Sequence, residues 1–504
     1  MDTKALRQKI LDLAIRGKLV PQDPNDEPAE VLLESIREQK QQMLKEGKLK
    51  KKDIKNDTII FKGEDNLHYE KFQDGTVKCI EDEIPFEVPE GWAWTRLQYI
   101  ISLSSGKTIK VRQLTDEGDF PVYGGNGING MYSYYNVEPK TIVIGRVGYY
   151  CGSVYKTISK AWVTDNALIA TIKEPNIFDI DFLVSTLTYL NLGTTSVSTA
   201  QPVVSGKGIL PLIVPIPPKK EQNRILRQIK KIAPLLDAIE NSQKETLSLI
   251  ANTKSKILDL AIRGKLVPQD PNDEPASVLL ERMRAEKEEL IKQGKIKRDK
   301  KEPVIFKGDD NSYYLRTGRV EESLEDWRFD DLPETWKICC LGELCNYGDC
   351  INVNTEDIAE DAWILDLEDI EKDTGTVLKK VTKDQRNSVS TKHKFHSGQV
   401  LYSKLRPYLN KVVLSDADGY CTSEILPLEF KNCVLPEYAR YYLMSGTFIA
   451  YANHCSYGVK MPRLGTTDGK KAIFSLPPLS EQKRIVETID FCFVQLNKIS
   501  EALA

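Results

Sequence analysis

Between Glu221 and Arg263 the positions Ile225, Ile229, Ile232, Leu236, Ile239, Gln243, Thr246, Ile250, Thr253, Ile257 and Leu260 follow alternating spacings of four and three. That is a heptad seam, and it predicts a long helix packed against another. Pro234 falls inside it and is expected to kink or interrupt its first turns, since proline lacks the N–H and crowds the preceding turn. Gln243, Thr246 and Thr253 are polar seam positions that weaken the packing and fix its register. Ile485, Ile489, Cys492, Leu496, Ile499 and Leu503 repeat the seam at the other end of the sequence. Leu6, Ile10, Leu13 and Ile15 mark an N-terminal helix on the same principle.

Gly17 and Gly264 stand where helix-ending glycines belong. The PQDPNDEP that follows each is a Pro/Asp/Asn turn, and Pro28 and Pro275 suit the opening of a second helix that runs to about Gly47 or Gly294. The intervening stretches differ in kind. TIVIGRVGYYCGSVYK and WVTDNALIATI in the first, and QVLYSKLRPYLNKVVLS in the second, are β-branched and aromatic with interspersed Gly, a strand pattern. A helix closes each, near Phe178 to Leu190 and Glu437 to Ala452. The fold class is α+β: two mixed α/β domains joined by long antiparallel helices.

These elements occur twice. KILDLAIRGKLVPQDPNDEPA occupies Lys9 to Ala29 and recurs letter for letter at Lys256 to Ala276. After it, EVLLESIREQKQQMLKEGKLKKK matches SVLLERMRAEKEELIKQGKIKRD, IFKGEDN at Ile60 matches IFKGDDN at Ile305, and VPEGW ending at Trp92 resembles LPETW ending at Trp336. About 120 residues then fail to align. Agreement resumes at PIPPKKEQNRILRQI (Pro215 to Ile229) and SLPPLSEQKRIVETI (Ser475 to Ile489). An internal repeat of this kind predicts a pseudo-two-fold fold with neighbouring termini. The boundaries follow as a helical region over 1–58, a first variable domain over 59–217, a helical spacer over 218–302, a second variable domain over 303–477 and a closing helix over 478–504. Turn chemistry explains much of the identical block. It does not explain identity at Gln22, Asn25 and Glu27, or at Gln269, Asn272 and Glu274, which leaves a shared partner surface and recent duplication open.

The 504 residues carry 41% hydrophobic and 28% charged side chains, ordinary for a globular chain with a sizeable core. The N-terminal segment lacks the apolar run of a secretory signal, no stretch approaches a membrane span, and the ten Cys form no regular framework, so a cytoplasmic protein with reduced thiols is expected. A net charge of −3 does not exclude nucleic acid, because binding needs only a local basic face. GNGING at Gly125 to Gly130 satisfies G-x-G-x-x-G but lacks the helix a dinucleotide fingerprint requires, which favours a Gly/Asn-rich loop. Cys339, Cys340, Cys345 and Cys350 lack paired zinc spacing, and neither a phosphate loop nor a nucleophile signature is present. Enzymatic chemistry and metal binding are poorly supported.

Basic residues beside aromatics in the variable centres are better candidates. They are Lys107, Lys110 and Arg112 in SGKTIKVR, Asn126 in the glycine loop, Arg146 in IGRVG, Lys404, Arg406, Tyr408 and Lys411 in SKLRPYLNK, and Lys460 and Arg463 in YGVKMPRLG. Lys and Arg suit phosphates and guanine, and Asn suits adenine. The bland alternative for each is a solvated charge on a strand or loop.

PPKKEQNRI at Pro217 and PPLSEQKRI at Pro477, together with LAIRGKLVPQDPNDEPA, the P-E-x-W entries and the IGRVG and YSKLRPYL strands, resemble the DNA-specificity subunits of type I restriction-modification systems. The likeness covers essentially the whole chain. It implies two target-recognition domains, each reading one half of an asymmetric bipartite site in double-stranded DNA, and conserved helices that bind two modification subunits and, through them, restriction subunits. S-adenosylmethionine, ATP and magnesium then belong to those partners, and this chain is non-catalytic. A roughly forty-residue helix spans about 60 Å against ~34–36 Å per DNA turn, which suits a gapped site. A coiled-coil scaffold that never reads DNA is the alternative, and a self-sufficient methyltransferase or nuclease comes third.

Overall fold

The computed structural model describes every residue except 1, 52–53, 116, 174–176, 197–201, 299–301, 311, 325–331, 387–388 and 504, and only the backbone of Val111. It divides into two compact units, Met1–Ser242 and Gln243–Ala504. Each helical flank therefore packs with the variable domain beside it.

The first unit opens with helix α1 (Thr3–Ile15), capped by Asp2, whose side chain accepts from the Ala5 N–H. Helix α2 (Ala29–Lys45) follows the turn. A three-stranded antiparallel meander (Ile59–Lys62, His68–Lys71, Val77–Cys79) leads to Ala93–Arg96, which pairs with Ile213–Ile216. The variable domain holds a four-stranded sheet in the order Ile101–Ser105, Ala167–Ile172, Ile142–Gly145, Val154–Lys156. A second sheet pairs Phe120–Gly124 antiparallel with Gly127–Tyr132 and parallel with Trp162–Val163. Helix α3 (Ile180–Tyr189) closes it, and Phe182, Leu183 and Leu187 join Ile142, Ile144, Ile100 and Leu97 in one core with Ile15 and Ile225.

Helix α4 (Lys219–Ile262) carries the predicted seam. Ile225, Leu236 and Ile250 are buried and the other seam positions are half-buried, and toward its two ends the helix also buries Leu226, Leu258, Ala261 and Ile262 beside the seam. Pro234 lies inside it without interrupting it. Proline costs an interior helix about 3 kcal/mol; Pro234 and Lys230, whose carbonyl it frees, are both exposed.

The second unit repeats the order. Helix α5 (Ala276–Lys292) leads to a meander (Pro303–Lys307, Tyr313–Thr317, Val320–Ser323) and to Lys337–Cys340 paired with Ile473–Leu476. Its variable domain has a five-stranded sheet and the three-stranded order Val412–Leu414, Val400–Ser403, Ile425–Leu428. The single helix expected over Glu437 to Ala452 is two, α6 (Pro436–Leu443) and α7 (Gly446–His454). Ser445 divides them: its Oγ accepts from the Phe448 N–H and caps α7. Helix α8 (Leu479–Leu503) runs antiparallel to the unit's portion of α4, with Gln243 donating to the Leu503 carbonyl at 2.7 Å and Lys254 to Asn497 at 2.6 Å. Among the described residues no helix is long and apolar enough to cross a membrane.

Candidate nucleic-acid interface

The repeated block has a physical role in both units. Gly17 sits at φ +66 just past α1, with its N–H bonded to the Ala14 carbonyl and that of Lys18 to Leu13, a Schellman end. Gly264 does the same at φ +65 with Ala261 and Lys265 with Leu260. Gln22 Nε2 then donates to the Gly17 carbonyl at 2.9 Å and to Glu221 Oε1 at 2.8 Å, while Trp92 Nε1 donates to Glu221 Oε2 at 3.0 Å. In the second unit Gln269 reaches Glu481 Oε1 at 2.5 Å and Trp336 Nε1 reaches Oε2 at 2.9 Å. Arg224 pairs with Asp26 and Arg484 with Asp273, both at 2.6 Å. Gln222 accepts from the Asp179 N–H at the start of α3 and donates to the Ile177 and Pro217 carbonyls. Gln482 repeats this with Leu435, Cys433 and Pro477. Each residue of E-Q-x-R thus anchors a different piece: Glu holds the P-E-x-W tryptophan and the turn, Gln holds the closing helix, Arg holds the turn's aspartate.

Glu221 and Glu481 are buried, and burial pushes both carboxyls above the ordinary range, against the opposing pull of the Gln and Trp donors. Hydrogen bonds to a charged group are worth about 1.5–3 kcal/mol each, so the network fixes the variable domain on its helices. This gives Gln22 and Gln269, both exposed, a structural duty that their sequence position does not show. Asn25 and Asn272 each bond the preceding Asp23 or Asp270 in an Asx turn. Glu274 pairs with Arg282 at 2.7 Å on the surface, and Glu27 is exposed.

The candidate DNA residues of the first unit lie on loops at the ends of its two sheets. Lys107 is exposed just beyond the strand Ile101–Ser105, its N–H bonded to the Val163 carbonyl. Lys110 and Arg112 are exposed, Lys110 just before and Arg112 within a short turn of helix, Val111–Gln113. Gly125 and Asn126 form the two-residue tip between Phe120–Gly124 and Gly127–Tyr132, so GNGING is a hairpin, as its flanks suggest. A Cβ on Gly125 would stand 2.6 Å from the Val147 carbonyl, which places this tip against the loop of Arg146. Arg146 is half-buried with Nη1 3.4 Å from Ser105 Oγ. Asn126, Arg146 and the strand ending at Ser105 therefore meet in one place. Tyr149 and Tyr150, which the sequence reading passed over, project from the same loop, with 90% and 49% of their surface exposed. The adjacent pair of aromatics after IGRVG was the available signal.

In the second unit Lys404, Arg406 and Tyr408 share one loop, and Lys460 lies at the exposed tip of a hairpin closed by the Tyr457–Arg463 bridge. Arg406 N–H donates to the Pro462 carbonyl at 2.7 Å, joining loop and hairpin. Two candidates change role. Arg463 is engaged in a fork-to-fork pair with Glu424 at 2.8–3.1 Å, which holds its guanidinium and raises it further above its ordinary value. Lys411 points inward, donating to the Leu367 carbonyl at 2.6 Å, and burial lowers its ammonium. Both position the loop from within rather than offering a free cation.

The two loops are built alike despite their sequences. Gly145–Ser153 and Ser403–Lys411 share five backbone hydrogen bonds and differ at Gly152, whose N–H reaches Gly145 O where that of Asn410 reaches Pro407 O. Arg146 N–H donates to Asn166 O and its carbonyl accepts from Val204, as Lys404 N–H donates to Glu424 O and accepts from Leu464. Gly148 N–H reaches Pro202 O where Arg406 reaches Pro462, Cys151 reaches Gly148 where Leu409 reaches Arg406, and Gly145 reaches Ser153 where Ser403 reaches Lys411. The strands agree in register, Ala167 opposite Gly145 and Ile425 opposite Ser403. What the frame offers chemically is a cation, a left-handed residue and an exposed tyrosine at fixed positions. Among the described residues no group of three or more His, Cys, Asp or Glu could hold a metal.

A family model for the type I restriction modification DNA specificity domain matches residues 89–249 and 333–502, more than half of the chain and both variable domains. The chain belongs to that family. It is 26% identical to the type I restriction enzyme EcoAI specificity subunit of Escherichia coli, over 98% of this chain and 90% of the relative. It is 25% identical to the EcoEI specificity subunit of the same organism, over 99% and 90%. A solved structure described as underlying complex assembly and conformational transition of the type I R-M system is similar in fold, with TM-score 0.51 at 14% identity, covering 83% of this chain and 94% of that one. In this specificity-family chain, the matched segments begin at the P-E-x-W entries and run into the E-Q-x-R helices, the parts that the buried network joins.

Proposed function

We propose that this chain is the DNA-reading subunit of a type I restriction-modification complex, with each variable domain responsible for one half of an asymmetric two-part site in double-stranded DNA. The observation that carries the reading is the pairing of two near-identical scaffolds with two loops of one frame but different side chains. A single conserved scaffold holding divergent contact residues is what reading two different half-sites requires, since phosphate contacts position a protein and base contacts specify the sequence. Lys107, Lys110, Arg112, Asn126 and Arg146 form the contact set of one domain. Lys404, Arg406, Tyr408 and Lys460 form that of the other.

The remaining assignments rest on the family. The exposed identical positions, Asn25 and Glu27 with Asn272 and Glu274, face two copies of one modification subunit, and restriction subunits join through them. S-adenosylmethionine, ATP and magnesium are bound by those partners, and this chain contributes recognition rather than bond-breaking chemistry. The whole operates in the cytoplasm. The test is to purify the chain with a type I modification subunit from its host and map methylated adenines across the host chromosome. A gapped, two-part motif is expected. A map without such a motif, with DNA binding absent in the complex, would support a protein-only scaffold instead.

A further inference from the structure

The shared loop has two left-handed positions, Gly148/Arg406 and Gly152/Asn410, and the first differs between the units in an informative way. In the first unit it is Gly148, at φ +94, a conformation glycine adopts without penalty. In the second it is Arg406, at φ +51. A long side chain in that region costs of order 1–2 kcal/mol, and such strain gathers at functional sites. Arg406 Nε is moreover buried with no hydrogen-bond partner in the protein, so nothing within the unit offsets the strain through that atom. On either side the loops agree in chemistry: a cation at Arg146 and Lys404, and a tyrosine at Tyr150 and Tyr408, with 49% and 48% of their surface exposed. A Cβ at Gly148 would meet nothing within 4 Å, so a side chain added there carries the backbone strain of φ +94 and no steric clash.

We infer that this nine-residue loop is one interchangeable reading element, in which the residue at the first left-handed position sets the base preference of its half-site. Arg406 reads guanine from there, the base whose major-groove edge takes a guanidinium bidentately. Gly148 reads nothing and leaves that step of its half-site to other residues. Arg146 and Lys404 hold phosphate, and Tyr150 and Tyr408 pack on the sugar-phosphate backbone, without regard to sequence. This rests on the DNA-specificity reading given above and adds which residue within each domain carries the discrimination.

The experiment uses the full-length chain assembled with its modification subunit, a pool of random-sequence duplex DNA, and sequencing of the bound fraction. Arg406→Gly, which relieves the left-handed strain and so favours folding, is expected to erase one guanine from one half of the selected motif. It should weaken binding to the wild-type site about 5- to 100-fold. Gly148→Arg is expected to add a preference in the other half. Tyr150→Ala and Tyr408→Ala should weaken binding to all sequences with the motif unchanged. An Arg406→Gly protein that selects the wild-type motif with wild-type affinity overturns the inference, as does one altered in both halves. The wild-type control separates the two levels: if it selects no motif, the specificity reading itself fails, whereas a wild-type motif that Arg406→Gly leaves intact defeats only the loop assignment.

Discussion

Gly264 and Gly294 offer a matched pair of substitutions. Both end helices in the left-handed region, at φ +65 and +70, with the same Schellman bonds, Gly294 through Ile291 and Lys295 through Leu290. They differ in their surroundings. A Cβ on Gly294 meets nothing within 4 Å, whereas one on Gly264 stands 2.5 Å from Pro333 Cγ, 2.7 Å from Pro333 Cδ and 3.3 Å from Trp336 Cε2. Gly294→Ala therefore carries only the backbone term, about 1–2 kcal/mol, reduced by the ~0.4–1 kcal/mol that alanine removes from the unfolded chain's entropy. Gly264→Ala adds overpacking against the P-E-x-W motif, typically 1–3 kcal/mol, for a total of about 2–4 kcal/mol. Gly17→Ala is expected to match it, since Pro89 Cγ is 2.5 Å and Trp92 3.0 Å away. Because the chain is built of two compact units, a single unfolding midpoint does not define one free energy. The assay is hydrogen exchange resolved by peptide, read on the Lys265 amide region in denaturant and calibrated by tryptophan emission. Equal effects of Gly264→Ala and Gly294→Ala would refute the claim that the turn is held by its contact with Pro333 and Trp336.

Further outcomes follow from the buried charges. The folded-state pKa of Glu221 and of Glu481 is raised above the ordinary 4.5, burial being the largest cause, so the folded chain holds these protons more tightly than the unfolded one. The stability they contribute is complete below that ordinary value and is lost as pH rises through the raised one. Subtracting the urea midpoints of a Glu221→Gln/Glu481→Gln double variant from wild type across pH 4–8 should expose this loss. A difference independent of pH would contradict it. Arg386→Ala strips both Asp366 and the fully buried Asp369 of their guanidinium partner, and leaving a buried carboxylate uncompensated costs about 3–5 kcal/mol. Thermal unfolding should show the second unit destabilised with the first unchanged, and a loss below 1 kcal/mol would show that Lys379 and Lys392, both near these carboxylates, carry the load. Arg463→Ala, which frees Glu424 at a partly exposed site, should cost under about 1 kcal/mol of stability yet weaken DNA binding by loosening the hairpin that carries Lys460. Unchanged affinity would remove Arg463 from the loop's support.

Much of the fold was legible in local pattern. The seam from Ile225 to Leu260 gave the long helix, because a side chain every three or four residues is what a packed helix exposes to its neighbour. Gly17 and Gly264 gave the helix ends, whereas the stretches around Arg146 and Arg406, read as strands, are strand only as far as Gly145 and Ser403 and loop beyond. Pairings across long stretches of sequence were not legible. Gln22 reads as an exposed turn residue until Glu221 is seen to accept from it, and nothing near either residue announces the other. The kinship of Gly145–Ser153 with Ser403–Lys411 was hidden for a different reason. Its frame is made of backbone N–H and carbonyl groups, which almost every residue supplies, so the loops kept their shape while only Tyr150 and Tyr408 stayed identical.

The central claim is that the two variable domains read separate halves of one DNA site. Exchanging residues of about 85 to 215 for the corresponding segment of a family member with a different target, then mapping methylated adenines made by the assembled complex, tests it directly. A motif changed in one half, with the other half and its methylation intact, is the predicted result. A motif altered in both halves, or left unchanged, would contradict it.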